Sequence, residues 1–284
     1  MSRPSFDPYD PANLAFHDSP LERSYEASKR QFWNDTEVLD RLIARHGPPR
    51  VPAGKRGALA AILSAVYHGE IVAMHVSAEL LALVPSLEAQ KVLAAQVVEE
   101  AKHVTAFQRY AREANLRLPR VDPWARRLLE SIRRGRDPAM KLLGMQLLVE
   151  NVAHAIFRSL CETVDEPVLK GLLEYIDRDE VKHVGLARNY LPELLARVPL
   201  RDLPRAWATQ AFWSACLLTA TRRNRAHAEA LGIDVNAHSK RQSREISRVV
   251  ASFGLRARLP VAALPDAWSD WLLDRVLPPR PCSS

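Results

Sequence analysis

The chain has 284 residues, 47% hydrophobic and 26% charged, which excludes a disordered polypeptide and suits a generous globular unit. Lys and Arg number 40 against 33 Asp and Glu, giving a net charge of +7. That excess is spread along the chain and reads as a solvated surface, so no nucleic-acid partner is expected; only 10 glycines favour helix over sheet.

Residues 1–20 are rich in Pro and Asp and read as an extended arm. They lack the basic-then-apolar pattern of a signal segment, and no run of about 18 uncharged apolar residues follows. A cytoplasmic protein without a membrane span is therefore expected. Residues 21–46 hold two short helices, with Asp35 or Thr36 capping the second. The stretch Gly47-Pro48-Pro49-Arg50-Val51-Pro52 is a breaker.

A long helix is predicted from Lys55 to Leu83, and Ser86 caps another from Leu87 to Asn115. A short helix enters at Asp122-Pro123. Asp137-Pro138 is an N-cap with Pro at the first helical position, opening a third long helix to about Glu162. Asp165-Glu166-Pro167 opens a fourth that ends near Leu191-Pro192 or slightly beyond. Further helices are expected from Pro204 to Leu231, over 239–252, and from Pro265 to Val276. No alternating strand pattern of useful length occurs, so the fold is read as all-α. Three segments are expected: an arm with short helices at 1–54, a helical core at 55–232, and a helical tail at 233–284. The cysteines Cys161, Cys216 and Cys282 form no CxxC pair and read as free thiols in a reducing compartment.

The long helices are apolar around most of their circumference, as in AMKLLGMQLLVENVAHAIF. Such helices sit inside a bundle, and polar residues within them need partners. Those residues are Glu70 in the first, Glu100 and His103 in the second, Glu150 in the third, and Glu180 and His183 in the fourth. Glu100-Ala-Lys-His103 and Glu180-Val-Lys-His183 are both Glu-x-x-His, whose ends share a helix face. Chance gives roughly 0.6 such pairs in a chain of this composition. What decides is that Glu70 precedes Glu100, and Glu150 precedes Glu180, by the same 30 residues. Between antiparallel helices that interval sets the two carboxylates at matching heights.

One Glu from each of two helices and Glu-x-x-His from each of the other two is the ligand set of a carboxylate-bridged two-metal site. Two divalent ions a few Å apart need about four negative charges to offset their repulsion, and one imidazole per ion leaves positions open for O2. Glu99 and Asp179 directly precede ligand candidates and are placed to accept from the free N–H of the His on the opposite helix. His68, His75, Glu79 and His154 lie close by in sequence and are expected to be packed or hydrogen-bonded instead of ligating.

With these residues in view, the chain resembles the ferritin-like dinuclear metal carboxylate superfamily. Within it the likeness is to the small subunit of class I ribonucleotide reductase and to the related ligand-binding oxidases. The segment Tyr25 to Asp40, with Phe32-Trp33, is similar to that branch's opening segment, and both Glu-x-x-His runs are similar to its metal helices. The likeness spans residues 20–230 and implies a four-helix bundle with additional helices, holding Fe/Fe or Mn/Fe. It also implies that Trp33 lies on an electron route to the surface by way of Asp179.

Departures narrow the function. Where the reductase branch has a radical-forming tyrosine, four residues after the first His, this chain has Phe107. Its last tyrosine is Tyr190, so a tail tyrosine for radical exit is absent, and Trp268 and Trp271 stand there instead. The oxidases link a Val to a Tyr; here Val72 is present but the Tyr position is Met145. A seventh ligand His of the arylamine oxygenases is replaced by Ile176. The expectation is an O2-activating oxidase or oxygenase acting on a small apolar organic substrate, with Val72, Phe107, Met145 and Phe157 walling its pocket. An electron-donor protein and a homodimer are the expected partners. The alternatives are a radical-generating reductase-like subunit and a non-enzymatic iron-binding protein.

Overall fold

A computed structural model describes residues 6–15, 18–254 and 266–279. Among the described residues there is no strand. Short helices α1 (Pro20–Arg30) and α2 (Asp35–His46) precede the long pair α3 (Ala53–Leu83) and α4 (Leu87–Glu113). Then come α5 (Pro123–Arg134), α6 (Pro138–Leu142), a π-helical stretch (Leu143–Val149) and α7 (Glu150–Thr163). Helices α8 (Pro167–Ala196), α9 (Leu203–Ala230), α10 (Val235–Ser252) and α11 (Asp266–Val276) complete it. In the arm, a single 3-10 turn spans Pro11–Leu14. Cys161 and Cys216 are free; Cys282 lies outside the described residues.

Local chemistry sets most of the boundaries. Ser86 Oγ accepts from Ala89 N–H, Asp122 from Trp124, and Asp137 from Met140, each satisfying an orphan donor of the first turn. The cap of α2 is Asn34, not Asp35 or Thr36: its Oδ1 accepts from the N–H groups of Thr36 and Glu37 at 3.0 and 3.1 Å. Helix α8 runs through Pro192 to Ala196. Proline removes one helix bond, but Leu191, Leu194 and Leu195 are buried in the last turn and hold it. Helix α10 begins at Val235, earlier than expected, because Asp234 caps it and Val235 and Asn236 are buried.

The third long helix is interrupted. Between Leu143 and Val149 it widens to a π-helix, and the N–H of Glu150 donates to the carbonyl of Met145, five residues back. Gly144 permits this close packing. A Cβ there would lie 2.8 Å from Ile132 and 2.9 Å from the Trp213 ring.

Helices α3, α4, α7 and α8 form the bundle, with α9 packed on α3 and α5. Each of the four passes between two apolar clusters. One cluster holds Leu63 and Val66 of α3, Phe107 of α4, Phe157 of α7 and Ile176 of α8. The other holds Val76 of α3, Leu93 of α4, Met145 beside α7, and Leu186 of α8. The crossing points are Glu70, Glu100, Glu150 and Glu180, so a polar layer lies between two greasy halves. Helix α3 is long and apolar enough, by length and composition alone, to cross a membrane, although Glu70 and Glu79 interrupt any uncharged run of about 18 residues. In this fold it carries Glu70 into the bundle and packs along α4.

Candidate metal centre

The structure brings the six ligand candidates together. Glu70, Glu100, His103 and Glu180 offer ligand atoms within 4.8 Å of one another, and Glu100, Glu150 and His183 form a second such group. Glu100 belongs to both, as a carboxylate between two ions would. None of the six is more than 3% exposed.

Both imidazoles turn Nδ1 inward. His103 Nδ1 lies 3.1 Å from Glu70 and 3.3 Å from Glu180; His183 Nδ1 lies 3.2 Å from Glu100 and from Glu180. Outward, His103 Nε2 donates to Asp179 at 3.2 Å and His183 Nε2 donates to Glu99 at 3.0 Å. These are the cross-helix contacts expected of Asp179 and Glu99. They orient each ring so that Nδ1 faces the cluster.

The electrostatics are those of an anionic pit. Burial, then the neighbouring Glu180, raises the Glu70 carboxyl well above the usual carboxylate range, and burial with Glu180 and Glu100 does the same to Glu150. Burial also works to raise Glu180, but His183, Glu150 and His103 override it and hold that carboxyl well below the range. For both histidines burial works downward, while the surrounding carboxylates raise their pKa well above normal. Glu100 Oε2, Glu150 Oε1 and Glu180 Oε1 are buried without a hydrogen-bond partner. Orphaned carboxylate oxygens beside inward imidazole nitrogens are a donor set that suits divalent ions.

Sequence reasoning missed three side chains here. Lys182 Nζ donates to Glu99 at 2.5 Å and to Asp179 at 2.8 Å, and Lys102 Nζ reaches Asp179 at 3.2 Å. Gln96 Nε2 donates to Glu100 at 3.0 Å. The signal for the lysines was in plain view, since each precedes its histidine in an otherwise apolar helix.

No protein-family model and no curated protein matches the sequence, but solved structures do. A dimanganese(II) NrdF of Streptococcus sanguinis aligns with a TM-score of 0.67 at 11% identity, over 90% of this chain and 97% of that one. An R2-like ligand-binding oxidase from Sulfolobus acidocaldarius aligns at 0.52 and 16%, covering 95% of both chains. A Synechococcus protein with aldehyde deformylating oxidase activity aligns at 0.53 and 22%, over 79% of this chain and 98% of that one. The fold is ferritin-like.

Against the ferritin-like bundle lies a largely apolar cavity of about 180 Å³ reaching Glu70 and Glu150. Of the residues expected to wall it, only Met145 does so. Phe107 and Phe157 pack on each other in the core, ring centroids 6.1 Å apart, and Val72 packs into the other apolar cluster. The wall is built by α3 and α7 together with α5, α9 and the start of α10, the last two far along the chain. Trp33 is 7% exposed, and its indole N–H donates to Asp179 at 2.7 Å. His68 Nδ1 bonds the Ser64 carbonyl at 2.7 Å, and His154 meets Asp177 at 2.5 Å. His75 is exposed, contrary to a packed role, and Glu79 is exposed in a pair with Lys141.

Proposed function

We propose that the protein is an O2-activating oxidoreductase that holds two metal ions, Fe/Fe or Mn/Fe, and acts on an apolar organic substrate. The observation that carries this reading is the apolar cavity ending on Glu70 and Glu150 at a buried cluster with unpartnered carboxylate oxygens. Glu70, Glu100, His103 and Glu180 would hold one ion, and Glu100, Glu150 and His183 the other. Such a pair supplies electrons to O2 and a position where O2 binds. The names of the structural neighbours, a dimanganese protein and a ligand-binding oxidase among them, point the same way.

The chain's own residues do the rest. Asp179 and Glu99 fix the imidazoles; against burial, His103 and then Lys182 and Lys102 hold the Asp179 carboxyl low, as His183 and then Lys182 do for Glu99, and the apolar wall keeps water from the cluster. The test is metal content and O2 uptake after anaerobic loading with Fe(II), or with Mn(II) and Fe(II). Close to two ions per chain and O2 consumption on exposure to air are expected. Well under one ion per chain would sink the reading.

A second reading, a radical-generating subunit, draws on the Trp33–Asp179–His103 chain of hydrogen bonds. Lys102 counts against it. Its ammonium sits 4.5 Å from the Trp33 ring centre, where it opposes positive charge on the indole during oxidation.

A further inference from the structure

Helix α11 is unusual in what it shows to solvent. A surface helix ordinarily turns its apolar stripe inward and its charges to water. Here Asp270 and Asp274, one turn apart, are spent on α10, against Arg244 at 2.5 Å and Lys240 at 2.6 Å. Ser269, Leu273 and Leu277 are buried on the same inner side. The outer stripe is Trp268, Trp271, Leu272 and Arg275, at the i, i+3, i+4 and i+7 positions of one face. Trp268 is 67% exposed and Trp271 53%. Their ring centroids lie 6.5 Å apart, and the Arg275 guanidinium lies 4.8 Å from the Trp271 ring centre.

The stripe borders a largely apolar groove of about 390 Å³ between α9, α10 and α11. Leu272 lines it from α11, and Ala211, Ser214 and Leu218 line it from α9. Leu273 and Leu277 cluster with Leu218 and Ala228 further along α9, so the Trp268 end of α11 lies toward the start of α9. There Trp207 is exposed, one turn before Ala211 on the same side of the helix. Arg222, also exposed, stands one turn after Leu218. Three tryptophans and the arginines Arg222 and Arg275 thus rim one groove, with Asp266 exposed at the head of α11.

We propose that this face seats on an anionic lipid bilayer, with α11 lying in the headgroup layer. Tryptophan suits that layer because its ring is apolar while its N–H stays wet, and arginine meets lipid phosphates from the same depth. A second copy of the chain is the competing occupant, and it fits less well. Three tryptophans exposed to this degree offer roughly 400 Å² at most, taking about 250 Å² for a whole side chain. A stable pair buries about 800 Å² on each partner. Each chain also carries a net charge of +7, which repels another copy and draws the protein to an anionic surface. The inference goes beyond the proposed function and does not rest on it.

The experiment is co-sedimentation of the full-length protein with vesicles of phosphatidylcholine, with and without one quarter phosphatidylglycerol. Binding to the anionic vesicles is expected. Pure phosphatidylcholine should bind about thirtyfold more weakly, at roughly fivefold for each of the two arginines. The double variant Trp268→Ser/Trp271→Ser should lose about tenfold or more on the anionic vesicles. Both tryptophans are exposed, so that variant keeps the fold, which circular dichroism checks. Light scattering at the same protein concentrations follows the competing occupant. No binding of the wild type to anionic vesicles, equal binding to the two kinds of vesicle, or unchanged binding in the double variant would overturn the proposal. So would a wild-type dimer that the double variant converts to monomer, since the stripe would then face a second copy.

Discussion

Glu150→Leu asks whether the buried cluster is built for stability or for metal. Glu150 is 2% exposed, its Oε1 has no partner, and burial with neighbouring carboxylates drives its pKa well upward. The metal-free fold therefore carries an acid it would be better without. Leucine has nearly the same volume and faces an apolar cavity. Removing a buried, poorly satisfied polar group relieves about 1–3 kcal/mol. For a chain of this size each kcal/mol moves the melting temperature by about 2 °C, so a rise of about 2–6 °C is expected for the metal-free variant. With metal the order reverses. A ligand at about 100 times its Kd adds about 2.7 kcal/mol to the protein that binds it, and the variant would lack one carboxylate of that site. Calorimetric melting of chelator-treated and reconstituted samples measures both arms. A metal-free variant that melts below the wild type would show that Glu150 stabilises the bundle by itself, and the reasoning fails.

Two further changes test the framework around the site. Gly144→Ala would drive a methyl group to 2.8 Å from Ile132 and 2.9 Å from Trp213, whose indole is pinned to Ser131 Oγ at 3.0 Å. A loss of about 1–3 kcal/mol in urea unfolding is expected, and an unchanged midpoint would mean that the π-helical stretch yields freely. His238→Gln tests the buried neutral imidazole. Its folded pKa of about 4 lies below the ordinary 6.5, so its stabilisation is intact above pH 6.5 and is lost as pH falls toward 4, because the unfolded chain takes up the proton first. The loss approaches roughly 3 kcal/mol; the variant should therefore lose less melting temperature than the wild type between pH 7 and 4.5, and equal losses would refute the burial.

The bundle and the ligand cluster were legible because they rest on short-range signals. Prolines and capping residues mark helix ends, and a charge inside an apolar helix identifies itself by needing a partner. Glu70, Glu100, Glu150 and Glu180 could be paired by spacing alone, since two long antiparallel helices with a short connection fix the height of each residue. The cavity wall had no such signal. Val72, Phe107 and Phe157 sit close to ligand candidates in sequence, but residues at neighbouring helix positions point to different faces, and of the four only Met145 turns toward the space. The true wall includes Leu128 of α5, Leu217 of α9 and His238 of α10, which reach it through long-range packing that no local period encodes. The π-helical stretch was equally silent. LLGMQLLV continues an α-helical pattern, and the close approach of Ile132 and Trp213 to Gly144, within the widened stretch, is visible only in the tertiary structure.

The missed lysines change how the site is understood. Lys102 and Lys182 add two positive charges beside Asp179 and Glu99, so the outer pair of carboxylates is already balanced. What is left unbalanced is the inner cluster. There burial and the neighbouring carboxylates push the Glu70 and Glu150 carboxyls up, and the carboxylates push the His103 and His183 imidazoles up against their burial, so all four hold protons more tightly than usual. Protons and divalent ions are alternative answers to the same charge, and ligands must shed theirs before they bind a cation. The residues so shifted are four of the six that converge, on all four bundle helices. A site evolved only as a buried salt-bridge network would gain little from Glu70 and Glu150, whose charged forms are disfavoured by burial and by neighbouring carboxylates. Their presence is accounted for when a cation is the intended occupant, and that is the physical reason for reading this layer as a metal centre.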